Sequence, residues 1–305
     1  MRWIQSKWFQ ILLGLAGIGG SVVALIHYGH WQELRWTENG VIFLFIASFG
    51  EMIFRGVRIK RVCSLFNKQI SFKASFWMAS LADIYGAATP SGVGGEVARM
   101  TSLTRFGIKA RDSLMILAAD RLALLISLIA TLVISAFFMV LSNPIELEMK
   151  SLFYTLSLYF ILSLGLGVFL FMMLRKKEYE VSWRKMIFQP DIFILAMVHH
   201  VVRLGVLPLS LWILNHQIPD LKILMISFVL GYGISLLPMP SGGGSVEVAF
   251  MLFFSSMLGE SAAAQTLLWW RFAGHYFYVM VGILVTLAGL MIRPQHVSQK
   301  TPSHS

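Results

Sequence analysis

Charge is scarce in this chain of 305 residues. Only 13% of them are Asp, Glu, Lys or Arg, about half of what a soluble domain carries. Acidic residues are the scarcer sign, 15 against 25 Lys and Arg, for a net charge of +10. There is one cysteine, Cys63, which excludes an intrachain disulfide. No Walker motif, zinc-protease motif or nucleophile elbow occurs, so neither ATP-driven transport by this chain alone nor a familiar hydrolase is indicated. The basic excess is not interleaved with aromatics on a polar face, so nucleic acid is not an expected partner. His199 and His200 are adjacent and point to different helix faces. No acidic residue or cysteine stands at metal-ligand spacing from them. No metal, cofactor or catalytic residue is therefore expected.

Apolar sequence is what the chain has in quantity: 57% of its residues are hydrophobic. Apolar runs fall at about 8–27, 40–57, 74–90, 113–142, 151–174, 191–214, 222–238 and 262–292. Several reach the ~20 residues that cross a bilayer. The expected fold class is an all-α polytopic membrane protein. Two further stretches, 94–106 and 246–258, are too short to span comfortably. The run after Arg2 and Lys7 lacks a small-residue cleavage site and is long for a signal peptide, so it reads as a retained first helix. The residues from 294 to 305 are polar and read as a disordered tail.

Loop charge sets an orientation. The N-terminus, 55–73, 99–112, 175–191 and the C-terminus hold all but six of the lysines and arginines. Arg35, Lys150 and Lys222 fall on the other side, and Arg121, Arg203 and Arg271 lie inside apolar runs. The positive-inside rule places the basic side, with both termini, in the cytoplasm of a cytoplasmic (inner) membrane protein.

A motif repeats across the chain. Pro90-Ser91-Gly92-Val93-Gly94-Gly95-Glu96 returns, with one residue inserted, as Pro240-Ser241-Gly242-Gly243-Gly244-Ser245-Val246-Glu247. Each copy is followed in the next long helix by an arginine, Arg121 or Arg271. Proline cannot continue a helix, and the glycines permit sharp turns and close approach. Each break therefore reads as a re-entrant hairpin hinge, at Pro90, Ser91, Gly92, Gly94 and Gly95 and at Pro240, Ser241, Gly242, Gly243 and Gly244. With three spans and one hairpin per half, the second half is upside down relative to the first. That gives inverted-topology repeats over 1–150 and 151–293, an arrangement found in secondary transporters.

Five charged side chains are the candidate substrate-binding set: Glu96, Arg121, Glu247, Arg271 and Arg203. Intramembrane carboxylates and guanidinia are costly and mark substrate or ion paths. A guanidinium also grips phosphate bidentately. The same residues allow a plainer reading. Each glutamate can cap its own helix start, and Arg121 can pair with Glu96 or Asp120 and Arg271 with Glu247. Asp83 is placed either in the same cavity or against Arg55, which itself reads as an interfacial side chain.

The Pro-x-Gly-x-Gly-Gly-Glu pattern at Pro90–Glu96, followed by Asp120-Arg121, resembles the transmembrane region of lysylphosphatidylglycerol synthases. The second copy, Gly243-Gly244-Ser245-Val246-Glu247 and then Trp270-Arg271, is looser. The resemblance covers nearly the whole chain. It implies a flippase-like protein that moves a phospholipid or lipid-linked headgroup across the membrane, with a lipid-modifying enzyme as a possible partner. The alternative is an integral-membrane lipid-modifying enzyme, or the membrane subunit of a lipid aminoacyl- or glycosyltransferase system. The oligomeric state is left open.

Overall fold

A computed structural model describes residues 38–89, 92–142, 189–215, 221–233 and 245–288. These residues are almost entirely helical and contain no strand. In chain order they form α1 Glu38–Leu65, α2 Phe72–Ala88, α3 Val93–Arg105, α4 Ala110–Ser142, α5 Pro190–Asn215, α6 Leu221–Phe228, α7 Ser245–Leu258, α8 Glu260–Arg271 and α9 Phe277–Ala288. Two π turns interrupt the α geometry. Val229–Gly233 continues α6, and Phe272–Tyr276 joins α8 to α9. The apolar runs at 8–27 and 151–174 lie outside the described residues. So do Pro90, Ser91, Pro240, Ser241, Gly242, Gly243, Gly244 and the tail.

Three stretches are long and apolar enough to cross a membrane: Ala110–Thr131, Pro190–Leu214 and Glu260–Ala288. The 28 residues of α1 extend about 42 Å at 1.5 Å per residue. α2 and α3, with 17 and 13 residues, reach only about 26 and 20 Å. Both fall short of a hydrocarbon core of ~30 Å. Ile46, Leu252, Val201 and Leu284 are exposed on the outside of the bundle, as lipid-facing positions require. This is a multi-pass membrane protein.

The α2–α3 bend is built from local rules. Ser71 caps α2 by accepting from the Ala74 N–H at 3.2 Å. Thr89 ends it in an extended conformation, φ −120° and ψ 147°, as a residue before proline must. Gly92 then takes φ +69° at the start of α3, a left-handed geometry that suits glycine. Thr89 Oγ1 donates to the Tyr85 carbonyl at 2.7 Å and accepts from the Gly94 N–H at 2.8 Å. The two helices close together on glycine. A β carbon on Gly94 would stand 2.7 Å from the Tyr85 carbonyl oxygen, and one on Gly95 2.8 Å from that of Ala82. α2 is held equally closely on its other side, where a β carbon on Gly282 of α9 would meet the Ser80 carbonyl oxygen at 2.7 Å.

α1 packs on α5 at the centre, with α2 and α4 beside them. α7 and α8 pack together and on α5. One apolar core joins α5, α6, α7 and α8 around Leu207, Phe250 and Leu267. A second joins the C-terminal half of α1 to α2 and α4 through Val62, Met78 and Ile116.

Two boundaries differ from expectation. The basic stretch expected as a loop from 55 is helical to Leu65, and the one expected from 99 is helical to Arg105. The cause is neutralisation from elsewhere in the fold. Arg55, Arg58 and Arg99 are buried against carboxylates of other helices, so the charge that suggested water does not meet it.

Candidate functional site: an arginine-lined cavity inside the bundle

Helix lengths place the charged candidates deep. At 1.5 Å per residue, Arg121 stands about 16 Å along α4 from Ala110, Arg271 about 16 Å along α8 from Glu260, and Arg203 about 20 Å along α5 from Pro190. All three line one cavity of about 340 Å³. Arg55 and Arg58 of α1, Asp83 of α2, and Glu96 and Arg99 of α3 line it too. The aromatic part of the wall is His199, Tyr232, Trp270, His275 and Tyr278. Both π turns contribute, through Leu230, Gly231 and Tyr232 and through Gly274 and His275. Such turns are frequent at functional sites, because one extra residue re-aims the side chains that follow.

Most of the charge is paired. Arg55 binds Asp83 as a fork, Nη1 to Oδ1 at 2.7 Å and Nη2 to Oδ2 at 2.5 Å. Its Nε lies 3.7 Å from Glu51, one turn earlier on α1. Arg58, with no exposed surface, reaches Asp120 through Nε at 2.8 Å and Nη2 at 3.3 Å. Arg99 sits between Asp120 at 3.5 Å and Glu96 at 3.4 Å. Glu96 also pairs with Arg121. Arg271 donates from Nε to Glu247 at 2.7 Å, with the Tyr276 hydroxyl 3.5 Å away. Glu247 is fully buried just inside the start of α7.

The histidines join helices. His199 of α5 contacts the Glu51 carboxylate of α1. His200 Nε2 lies 2.7 Å from the Leu124 carbonyl oxygen. A carbonyl only accepts, so Nε2 carries the proton, and Nδ1 accepts from the Tyr232 hydroxyl at 2.7 Å. His275 lines the cavity with its Nε2 unbonded. No group of three metal-ligating side chains occurs among the described residues.

Arg203 differs from the other five arginines. Among the described residues no carboxylate pairs with it, and its buried Nε has no acceptor. Its guanidinium instead lies over the Tyr278 ring, 5.2 Å from the centroid, with Arg55 at 5.5 Å from the same ring. Cation–π contact supplements a charge but accepts no N–H. Arg203 is thus a cation at mid-depth, facing a polar cavity, with donor capacity unspent.

Residues 11–282 match the family described as the lysylphosphatidylglycerol synthase TM region. The chain belongs to that family. Neither a curated protein nor a solved structure matches it. Within this lysylphosphatidylglycerol synthase TM region the family match spans every described helix up to Gly282 in α9. The cavity brings together four of the five sequence candidates, Glu96, Arg121, Arg203 and Arg271, with Glu247 directly behind Arg271. Arg121 pairs with Glu96 and not with Asp120, which is held by Arg58 and Arg99. Asp83 both lines the cavity and pairs with Arg55. Arg55 is only 3% exposed, so the interfacial reading of that side chain is corrected. Sequence reasoning missed Arg58, Arg99 and Tyr278. One signal was available. Arg55 and Arg58 stand three apart, and Glu51 four before Arg55, so all three share one face of a helix.

Proposed function

We propose that this protein is a lipid flippase of the cytoplasmic membrane and not itself an enzyme. It carries the headgroup of a phospholipid or lipid-linked substrate through the arginine-lined cavity while the acyl chains stay in the bilayer. The observation that carries this reading is Arg203, a guanidinium without a carboxylate partner at mid-depth in a polar cavity. A half-buried cation of this kind inside a membrane-spanning helix is expensive unless something anionic visits it. A phosphate supplies that anion, and the ion pairs around it provide further donors as it passes. The family's own name, which ties such regions to a lipid-modifying synthase, supports a lipid cargo and a lipid-modifying enzyme as partner.

The test is reconstitution of the purified chain in liposomes with a tail-labelled phospholipid. Transport changes leaflet distribution, whereas catalysis changes lipid composition. The wild type is expected to equilibrate the label at unchanged lipid mass. Arg203→Lys is expected to lose at least tenfold in rate, nearly as much as Arg203→Gln, because a point charge does not replace a planar fork. A new lipid product in the extract would instead assign an enzyme.

Inverted repeats are part of the same proposal, each half being three spans and a re-entrant hairpin, with both termini cytoplasmic. Two features support it. α2 and α3 are too short to span, and the first hairpin is flanked by basic sequence while the second is flanked by weakly charged sequence. In a Cys63→Ser background, Glu148→Cys is expected to react with an impermeant thiol reagent added outside intact cells. Glu178→Cys is expected to react only after permeabilisation. Labelling of position 178 from outside would rule out the odd number of spans per half.

A further inference from the structure

The cavity's charge sum selects its occupant. Among the described residues, six arginines surround it: Arg55, Arg58, Arg99, Arg121, Arg203 and Arg271. Five carboxylates answer them. Asp83 and Glu96 line the cavity, while Glu51, Asp120 and Glu247 stand behind it against their arginines. With histidines counted neutral, one positive charge is left over, and a protonated His199 would add to it. Among the described residues no lysine belongs to the lining.

The distribution of partners points the same way as the sum. Every one of the five carboxylates is engaged by at least one guanidinium. Unspent capacity in the lining is on the donor side: the buried Nε of Arg203, the Nε of Arg99 and Nη1 of Arg58 have no acceptor, while the one buried carboxylate oxygen left unbonded, Glu51 Oε2, stands behind the wall. An ammonium group entering this space finds no free carboxylate in the lining and meets a surplus guanidinium. A phosphodiester finds the surplus charge and a set of waiting N–H groups.

We infer that the cavity takes a lipid whose headgroup carries a net charge of −1 and no cationic group, and that it discriminates against zwitterionic and aminoacylated phospholipids. This inference rests on the flippase reading and narrows its substrate class, away from the cationic lipid in the family's name. The physical reason is neutralisation. A monoanion brings the cavity and its occupant to zero. A zwitterion leaves +1, and an aminoacylated phosphatidylglycerol leaves +2. In a low-dielectric interior each uncompensated charge is costly.

The experiment compares four tail-labelled lipids with identical acyl chains in proteoliposomes of the full chain. They are phosphatidylglycerol, phosphatidylethanolamine, lysylphosphatidylglycerol and phosphatidic acid. Phosphatidylglycerol is expected to cross at least tenfold faster than phosphatidylethanolamine or lysylphosphatidylglycerol. Phosphatidic acid separates the two sources of anionic phosphate. A rate matching phosphatidylglycerol assigns the site to phosphate of either kind, and a much lower one to phosphodiesters. Arg203→Gln brings the charge sum to zero and should collapse the preference for phosphatidylglycerol to within twofold. Retention of each lipid by the detergent-solubilised protein is measured in parallel by native mass spectrometry. If no lipid crosses but phosphatidylglycerol is retained over the other two headgroups, the transport reading falls and the charge selectivity stands. Equal or better transport or retention of lysylphosphatidylglycerol overturns the inference.

Discussion

Gly94→Val is expected to abolish lipid translocation in proteoliposomes and to lower the thermal stability of the detergent-solubilised protein. The β carbon alone arrives 2.7 Å from the Tyr85 carbonyl oxygen and 2.6 Å from Thr89 Oγ1. That oxygen already bridges Tyr85 to the Gly94 N–H, so it has nowhere to retreat without breaking the bend. The two branching methyls of valine add to the overlap. Gly50→Ala sets the baseline, because a β carbon there meets nothing within 4 Å. It should transport normally and unfold no earlier than wild type. If Gly94→Val also behaves like wild type in both measurements, the α2–α3 contact is not what holds the cavity wall in place.

Arg58→Met should be the most destabilising exchange among the charged residues, by ~3–5 kcal/mol, because it leaves the buried Asp120 with only the longer, 3.5 Å contact to Arg99. Arg58 and Asp120 have essentially no exposed surface and bond twice. The double variant Arg58→Met/Asp120→Leu removes both charges and should recover most of the loss. Arg99 then loses Asp120 but keeps Glu96 at 3.4 Å. Thermal unfolding in detergent, run on both singles and the double, measures the coupling. A single-variant loss near the ~0–1 kcal/mol of an exposed pair would mean that water already solvates Asp120 from the cavity.

How much could be read from sequence follows from what each signal depends on. The helices were legible because apolar runs of membrane length tolerate few charges. α4, α5 and the α8–α9 pair lie within a few residues of their expected bounds. The Glu–Arg pairs were legible because a repeated spacing of 25 and 24 residues places each acid one helix away from its partner. Arg58 and Arg99 were hidden for the opposite reason. They sit beside exposed basic residues such as Lys60 and Arg105, and local composition cannot separate a buried guanidinium from solvated ones. Their carboxylate, Asp120, is 62 residues from Arg58. The Glu51–His199 contact spans 148 residues, and no local pattern carries it. The π turns escape as well. A single surplus residue barely alters an apolar run, yet it shifts the face on which Tyr232 and His275 emerge.

The contact of Gly282 with the Ser80 carbonyl has a mechanical meaning. It is a bearing without clearance. Val281 and Ile283 flank the glycine on α9, so a slide of α2 by one residue along that helix would press a branched side chain into backbone. α2 and α9 therefore travel as one rigid lever. On the proposed flippase reading, any rocking that exposes the cavity first to one side of the membrane and then to the other has to be absorbed outside that lever. α3 rides on the same lever, because Gly94 and Gly95 meet the α2 backbone just as closely.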